Sequence, residues 1–261
     1  WPKSENVVNY DKAELVFHGA LIYDDKDSPY YNKFEALKWY KISAEKGYAP
    51  SQYNLALKYI GRRGDISIKE FDVSGAIKLL ELASNQGLTS AQVELGYIYE
   101  NGFGIDQNFS EAFKYYKIAS DNRDCEGQFS LGCLYEHGLG IKKDYNEAIR
   151  LYKLSADQGF KSGYFNLGVM YQNGKGVEVN LKEAMRYYID AAKKGHGGAF
   201  FNIGTIYATS SEYNIYTLAW FYLAYENGIS SAESIIKDLE NEMSSDQLAK
   251  TQDLLKKVIN G

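Results

Sequence analysis

The sequence is poor in the features that mark several common functional classes. Its 29 basic residues are outnumbered by 34 acidic ones, and the formal net charge is −5. Proteins that bind nucleic acid usually carry a clear basic excess, so no nucleic-acid partner is expected. No apolar run approaches the roughly 20 residues that a membrane-spanning helix needs, so no membrane span is expected either.

Cysteine and histidine are scarce as well, with two and three residues. Cys125 and Cys133 are eight residues apart. On one helix that is about 12 Å, whereas the Cα atoms of a disulfide lie within about 7 Å, so two thiols and no intramolecular disulfide are predicted. Metal ligands cluster at short spacing. The histidines do not, and neither a metal site nor another cofactor is predicted; they are His18, His137 and His196.

The chain starts at Trp1 without a methionine. Such a start is expected of a mature exported protein, which would be periplasmic, and equally of a trimmed cytoplasmic protein. The sequence leaves the compartment open between these two.

What the sequence does contain is a repeat. Residues 95–99 (LGYIY) return 36 residues later as residues 131–135 (LGCLY). The small residue of this motif recurs at Ala20, Ala56, Gly96, Gly132, Gly168 and Gly204. A fixed period of this size is typical of a solenoid. We count six repeats, at about residues 13–48, 49–88, 89–124, 125–160, 161–196 and 197–229.

Each repeat is predicted to be a helix-turn-helix pair. Its first half has apolar or small residues at helical spacing and in most copies ends at glycine, which suits the left-handed end of a helix. Its second half opens with a side chain able to cap a helix, followed in four copies by glutamate three residues later. The capping residues are Asn32, Asp72, Asn108, Asp144 and Asn180.

The predicted fold is therefore all-α: a right-handed α-solenoid, or superhelix, in which residues 1–261 form a single domain. Residues 230–261 are predicted to form C-terminal capping helices. Repeat two carries four additional residues around 62–70, and repeat six lacks three around 209–212.

The repeat resembles the Sel-one-like repeat family, a relative of tetratricopeptide repeats among the α-solenoids. The shared pattern is A/G-x-x-x-L-G-x-x-Y-x-x-G-x-G, then D/N-x-x-E-A-x-x-x-Y, then a closing A/S-x-x-G. Copies three to five fit it, except that Arg123 stands where the closing glycine of copy three is expected. The resemblance covers about residues 13–229 and implies a scaffold or adaptor that binds other proteins.

A partner-binding surface is predicted on the first helices. Helical residues step by about 100°, so the residue two before Leu131 points away from the packed face that Leu131 and Tyr135 mark. This first-helix aromatic position is followed by an amide in several repeats. First helices line the concave surface of tetratricopeptide-like solenoids, where a partner protein or peptide would bind. The predicted partner-binding residues are Tyr53, Asn54, Phe129, Phe165, Asn166, Phe201 and Asn202. The alternative is that each ring packs beneath the neighbouring first helix.

The favoured function is a non-enzymatic scaffold or adaptor. The first alternative is a bacterial immunity or inhibitor protein that neutralises a secreted toxic effector, because proteins of the resembled family occur beside such effectors. The second is a β-lactamase-like enzyme, because some relatives are described so and Ser-x-x-Lys occurs at residues 43–46 and 234–237. Of the partner motifs, Ser-Asp-Asn occurs at residues 120–122 but Lys-Thr-Gly does not occur, so no enzyme is expected.

Overall fold

The computed structural model describes residues 12–61, 72–209 and 215–260. Those ranges contain fourteen α-helices and no β-strand, which confirms the predicted all-α helical repeat fold. The helices are α1 (Lys12–Asp24), α2 (Lys33–Glu45), α3 (Ala49–Tyr59), α4 (Val73–Asn85), α5 (Thr89–Asn101), α6 (Phe109–Asp121), α7 (Cys125–His137), α8 (Tyr145–Asp157), α9 (Lys161–Asn173), α10 (Leu181–Lys193), α11 (Gly197–Thr209), α12 (Ile215–Glu226), α13 (Ala232–Glu242) and α14 (Ser245–Asn260).

Within each unit the helices pack as pairs of sequence neighbours, such as α1 with α2 and α9 with α10, and a pair packs on the next pair of the same unit, as α2 on α3 and α10 on α11. Tertiary contacts divide the chain into unit 1, which ends at Gly127, and unit 2, which begins at Gln128. The additional residues predicted for repeat two lie outside the described residues, as do most of those around the shortened turn of repeat six.

Side-chain caps begin the second helices, as the sequence predicts. The carboxylate of Asp144 accepts hydrogen bonds from the backbone N–H groups of Asn146 and Glu147, at 2.9 and 3.1 Å. Asn32, Asn108 and Asn180 cap α2, α6 and α10 in the same way. Because the first N–H groups of a helix have no partner inside the helix, these caps fix where each second helix starts.

Arg123 ends α6 in the conformation that glycine adopts in the other repeats. Its φ is +62°, in the left-handed region that favours glycine, whereas Gly87 and Gly159 at the same repeat position have φ of +88°. The helix therefore terminates in the same way, although an L-residue there is strained.

Glycine in the first helix allows a tyrosine of the second helix to approach closely. A Cβ atom on Gly168 would lie 2.5 Å from the Tyr188 ring, and one on Gly96 would lie 2.4 Å from the Tyr116 ring. Both tyrosines are buried. The small residue that defines the repeat in the sequence is thus the contact point between its two helices.

Buried glutamines connect each of three first helices to the ends of second helices. The side-chain amide of Gln52 donates to the carbonyl of Ala44 in the preceding repeat, at 3.3 Å, and accepts from Gln86 in its own repeat, at 2.9 Å. Gln92 and Gln128 are buried at the same position, with Asn122 and Gln158 as donors. Buried amides need such partners, and these bonds fix the register between helices.

Candidate partner-binding surface

The predicted aromatic residues of unit 2 are half-buried on first helices. The Phe129 ring centroid lies 5.7 Å from that of Tyr152 and 5.3 Å from that of Phe160. The Phe165 ring lies 5.7 Å from that of Tyr188. Each ring therefore packs on the second helix of its own repeat and still exposes part of its surface.

Phe201 in α11 also packs on the second helix of its own repeat. Its ring meets that of Phe221 edge-on, at 5.3 Å between centroids. In unit 1, Tyr53 is half-buried and packs against the core of repeats two and three. These positions lie at the edge of the core, whereas the sequence had suggested an open face opposite it.

The reason for this difference is the position of glycine on the first helix. Gly132 faces the Tyr152 ring, so the contact with the second helix is centred on Gly132 rather than on Leu131. Phe129 is three residues before Gly132 and lies only about 60° from it around the helix. The second helix therefore covers one side of the Phe129 ring.

The predicted amides differ in accessibility. Asn54 is only 6% exposed, so the expectation that it offers its amide to a partner is wrong. Asn166 is half-buried, and its Nδ2 lies 3.9 Å from the Cys133 sulfur, the limit of a weak contact. Asn202 is half-buried as well. Asn166 and Asn202 are thus the two amides of the predicted set that remain partly exposed.

A buried carboxylate lies behind this surface, which the sequence analysis did not identify. Glu136 accepts hydrogen bonds from the Tyr152 hydroxyl at 2.7 Å and from Lys175 Nζ at 2.8 Å. Burial by itself would raise the pKa of Glu136, but the bonds from Lys175 and Tyr152 outweigh it and hold the pKa below its usual value. The same ion pair raises the pKa of Lys175. The carboxylate is therefore held ionised on the buried side of α7.

A signal for this bond exists in the sequence. In repeats one, three, four and five, the fully packed tyrosine of the second helix has an acceptor sixteen residues earlier, as with Tyr40 and Asp24 at 3.0 Å, or Tyr188 and Gln172 at 2.5 Å. Where the tyrosine is replaced, the acceptor is replaced too. The replaced pairs are Ile60 with Leu80 and Ala208 with Phe221.

His196 completes the environment of Phe165. The two rings stack with centroids 4.2 Å apart and planes at 17°. His196 Nδ1 is buried and has no hydrogen-bond partner among the described residues. Burial lowers the pKa of His196, and the positive charge of Lys161 lowers it further. The imidazole is therefore stabilised in its neutral form.

Neither Ser-x-x-Lys match forms a nucleophile site. Ser43 is fully buried, donates to the Ala13 carbonyl at 2.6 Å and accepts from the Ser51 hydroxyl. A substrate could not reach it. Ser234 is exposed, and Lys237 forms an ion pair with Glu233 at 2.8 Å. Both serines are accounted for by helix packing and local surface bonds.

No group of three or more His, Cys, Asp or Glu side chains that could hold a metal occurs among the residues that the structure describes. Within the same residues, no helix has the length and apolar character to span a membrane. No disulfide joins Cys125 and Cys133, as predicted.

Comparison with known families agrees with the repeat pattern. The Sel1 repeat family model matches residues 20–48, 49–88, 89–124, 125–160 and 161–196. The α11–α12 pair lies outside these ranges. A search of curated proteins gave no match.

Several solved structures are similar in fold. A Sel1 repeat protein from Oxalobacter formigenes has a TM-score of 0.73 and 23% identity, over 87% of this chain and 65% of that one. A protective antigen of uropathogenic Escherichia coli with an SLR fold has a TM-score of 0.73 and 22% identity, over 92% and 51%. An immunity protein from Pseudomonas aeruginosa has a TM-score of 0.52 and 18% identity, over 88% and 83%. The chain thus spans 65% and 51% of the first two relatives, and at these identities the likeness shows the fold alone.

Proposed function

Because this chain belongs to the Sel1 repeat family, we propose that it is a non-enzymatic scaffold that binds a partner protein through the first-helix aromatic positions of unit 2 and their neighbouring amides. Sel1 repeats mediate interactions between proteins, and proteins built from them are generally scaffolds. The same fold serves many partners, so the partner must be sought from the surface rather than from the fold.

The observation that carries the proposal is one arrangement repeated at equal spacing. Phe129, Phe165 and Phe201 are each half-buried, 36 residues apart, with one face packed on a second helix. A ring held on one side is immobilised before binding, so little conformational entropy is lost when its other side is covered. Rings of this kind are typical anchors of protein interfaces.

The amides beside the rings can orient a bound polypeptide by hydrogen bonds to its backbone. Asn166 and Asn202 each follow a phenylalanine, and both are half-buried. A partly exposed amide can donate to or accept from the backbone of a bound segment. Apolar anchors with adjacent amides suit a polypeptide partner, whose backbone offers N–H and C=O groups at regular spacing.

Site-specific photo-cross-linking tests the proposal. A photoreactive phenylalanine analogue replaces Asn166, and a matched variant carries it at the exposed Asn146 of α8. We expect the Asn166 variant to cross-link a partner protein in the source cells and the Asn146 variant not to do so. Equal cross-linking yields at both positions, or cross-links from Asn146 alone, would contradict binding through the first helices.

A second candidate is an immunity or inhibitor protein that neutralises a secreted toxic effector. It is favoured by the fold shared with the Pseudomonas aeruginosa immunity protein. The two functions differ in the number of partners. Recovery of one effector in a fixed ratio would favour the inhibitor, whereas recovery of several different proteins would favour the adaptor.

A further inference from the structure

A groove of about 720 Å³ lies in unit 1, lined by residues of α2, α3 and α4. Its apolar lining includes Leu55, Leu79 and Leu82. Leu82 is 52% exposed, which is high for a leucine of a folded domain. This groove involves the second helices α2 and α4, so it is separate from the first-helix positions proposed above and can be tested apart from them.

The equivalent space in repeat three is filled by an aromatic ring. Counted from the helix caps, Leu79 corresponds there to Tyr115, which is buried. The Tyr115 ring stacks on Tyr99 at 5.8 Å, and its hydroxyl lies 3.4 Å from Glu81 in the preceding second helix. The shorter Leu79 leaves this space open in repeat two.

Repeat five fills the groove with the same residue type. Tyr187 occupies the position of Leu79 and stacks on Tyr171, with centroids 5.5 Å apart. Arg186 lies over the Tyr187 ring at 4.1 Å. Two other repeats thus show which group fits between consecutive second helices.

The glutamate that follows the helix cap in repeats three and five is absent from repeat two, where the cap carboxylate of Asp72 lies beside Gly75. Repeats three and five carry Glu111 and Glu183 three residues after the helix cap, paired with Lys114 at 3.1 Å and Arg186 at 2.9 Å. Repeat two has Gly75 at that position, so Lys78 has no carboxylate three residues before it.

The charge of the groove is complementary to an acidic ligand. Lys41 lines it at the position that Glu81 holds for repeat three, so an ammonium replaces a carboxylate there. Lys41 and Lys78 are opposed by one acid of the lining, Glu45. A partner carboxylate near the two lysines would gain charge-assisted hydrogen bonds.

We infer that this groove binds a segment of a partner protein in which an acidic residue stands beside an aromatic one. The aromatic ring takes the space that Tyr115 fills in repeat three and packs on Leu79 and Leu55. The carboxylate replaces the one that Gly75 lacks and meets Lys78 and Lys41. Both halves of the ligand thus correspond to what repeats three and five supply from their own chain, whereas repeat four has the buried Leu151 at the position of Leu79.

Selection of displayed random peptides on the whole chain tests this inference. We expect the enriched peptides to carry Asp or Glu next to Tyr, Phe or Trp. Leu79→Tyr, which fills the groove from within as in repeat three, should weaken their binding by about tenfold or more. Lys78→Glu should do the same through charge repulsion, while Lys114→Glu, the matched change in repeat three, should leave the affinity unchanged.

Thermal unfolding of the variants confirms that each is folded. The inference is overturned if no peptide is enriched, if the enriched peptides lack the acidic–aromatic pair, or if Leu79→Tyr and Lys78→Glu bind them as the wild type does. None of these results bears on Asn166 and the first helices, so the proposed function stands or falls separately.

Discussion

The hydroxyl of Tyr152 donates a hydrogen bond to Glu136 at 2.7 Å, which joins the two helices of repeat four through a buried carboxylate. Lys175 supplies the second bond to the same carboxylate from the following repeat. The Glu136 carboxylate therefore links α7 to α8 within repeat four and links both to the turn after α9 in repeat five. In unit 1, Asp24 does the same, with Tyr40 at 3.0 Å and Lys58 at 2.5 Å.

Removing the Tyr152 hydroxyl should destabilise the fold. In Tyr152→Phe the ring still packs, but buried Glu136 loses one donor, and a buried group left short of a partner costs about 1–3 kcal/mol. Urea unfolding measures the change. Tyr30→Phe, at a tyrosine 66% exposed, is the control and should stay within about 0.5 kcal/mol of the wild type. An unchanged Tyr152→Phe would show that the bond contributes no net stability.

Adding a methyl group at the helix contact should also destabilise it. A Cβ on Gly168 would come within 2.5 Å of the Tyr188 ring, so Gly168→Ala must push the two helices apart, at about 1–3 kcal/mol. At Gly204 the distance to the Phe221 ring is 3.2 Å, and the same substitution should cost less. Equal unfolding midpoints for the two variants would contradict the close-contact explanation.

Stability should fall as the pH falls through the titration range of histidine. His196 has a folded-state pKa below its unfolded value of about 6.5, so the unfolded chain binds the proton more readily. Its contribution is present above about pH 6.5 and is lost in mildly acidic solution. His196→Gln should flatten the dependence of the unfolding free energy on pH between about 7.5 and 5. An unchanged slope in His196→Gln would contradict this origin of the pH dependence.

Phe165 should contribute to stability as well as to binding, because one side of its ring packs on Tyr188 and His196. Full burial would make Phe→Ala cost about 3–5 kcal/mol, so a half-buried ring should cost about 1–3 kcal/mol. Urea unfolding of Phe165→Ala gives the value, with Phe34→Ala, at a ring 80% exposed, as control. Equal stability of the two variants would mean that the contacts of Phe165 with Tyr188 and His196 do not contribute to the free energy of unfolding.

The repeat architecture was predictable because its signals are local. A capping residue such as Asn108 and a glycine such as Gly102 act within a few residues of where they stand, so they mark helix boundaries directly in the sequence. In the sequence, Arg123 was recognisable only as a departure from the glycine of the other repeats. The chain nevertheless takes the left-handed conformation there.

The side-chain environment was less predictable because it depends on which face the second helix covers. The helical wheel centred on Leu131 placed Phe129 on an open face, whereas the actual contact is centred on Gly132. Burial of Asn54 escaped prediction for a related reason, since a polar residue gives no sign of packing. The bond between Tyr152 and Glu136 joins residues on different helices, so no single-helix pattern reveals it.

The most direct test of the proposed scaffold function is the affinity for the partner recovered by cross-linking at Asn166. Asn166→Arg should weaken binding about tenfold or more, because it places a long charged side chain among the aromatic positions. Asn146→Arg makes the same chemical change on the second helix α8 and should bind as the wild type does, with both variants unfolding near the wild-type midpoint. Unchanged affinity of folded Asn166→Arg, or an equal loss in Asn146→Arg, would contradict binding through the first helices.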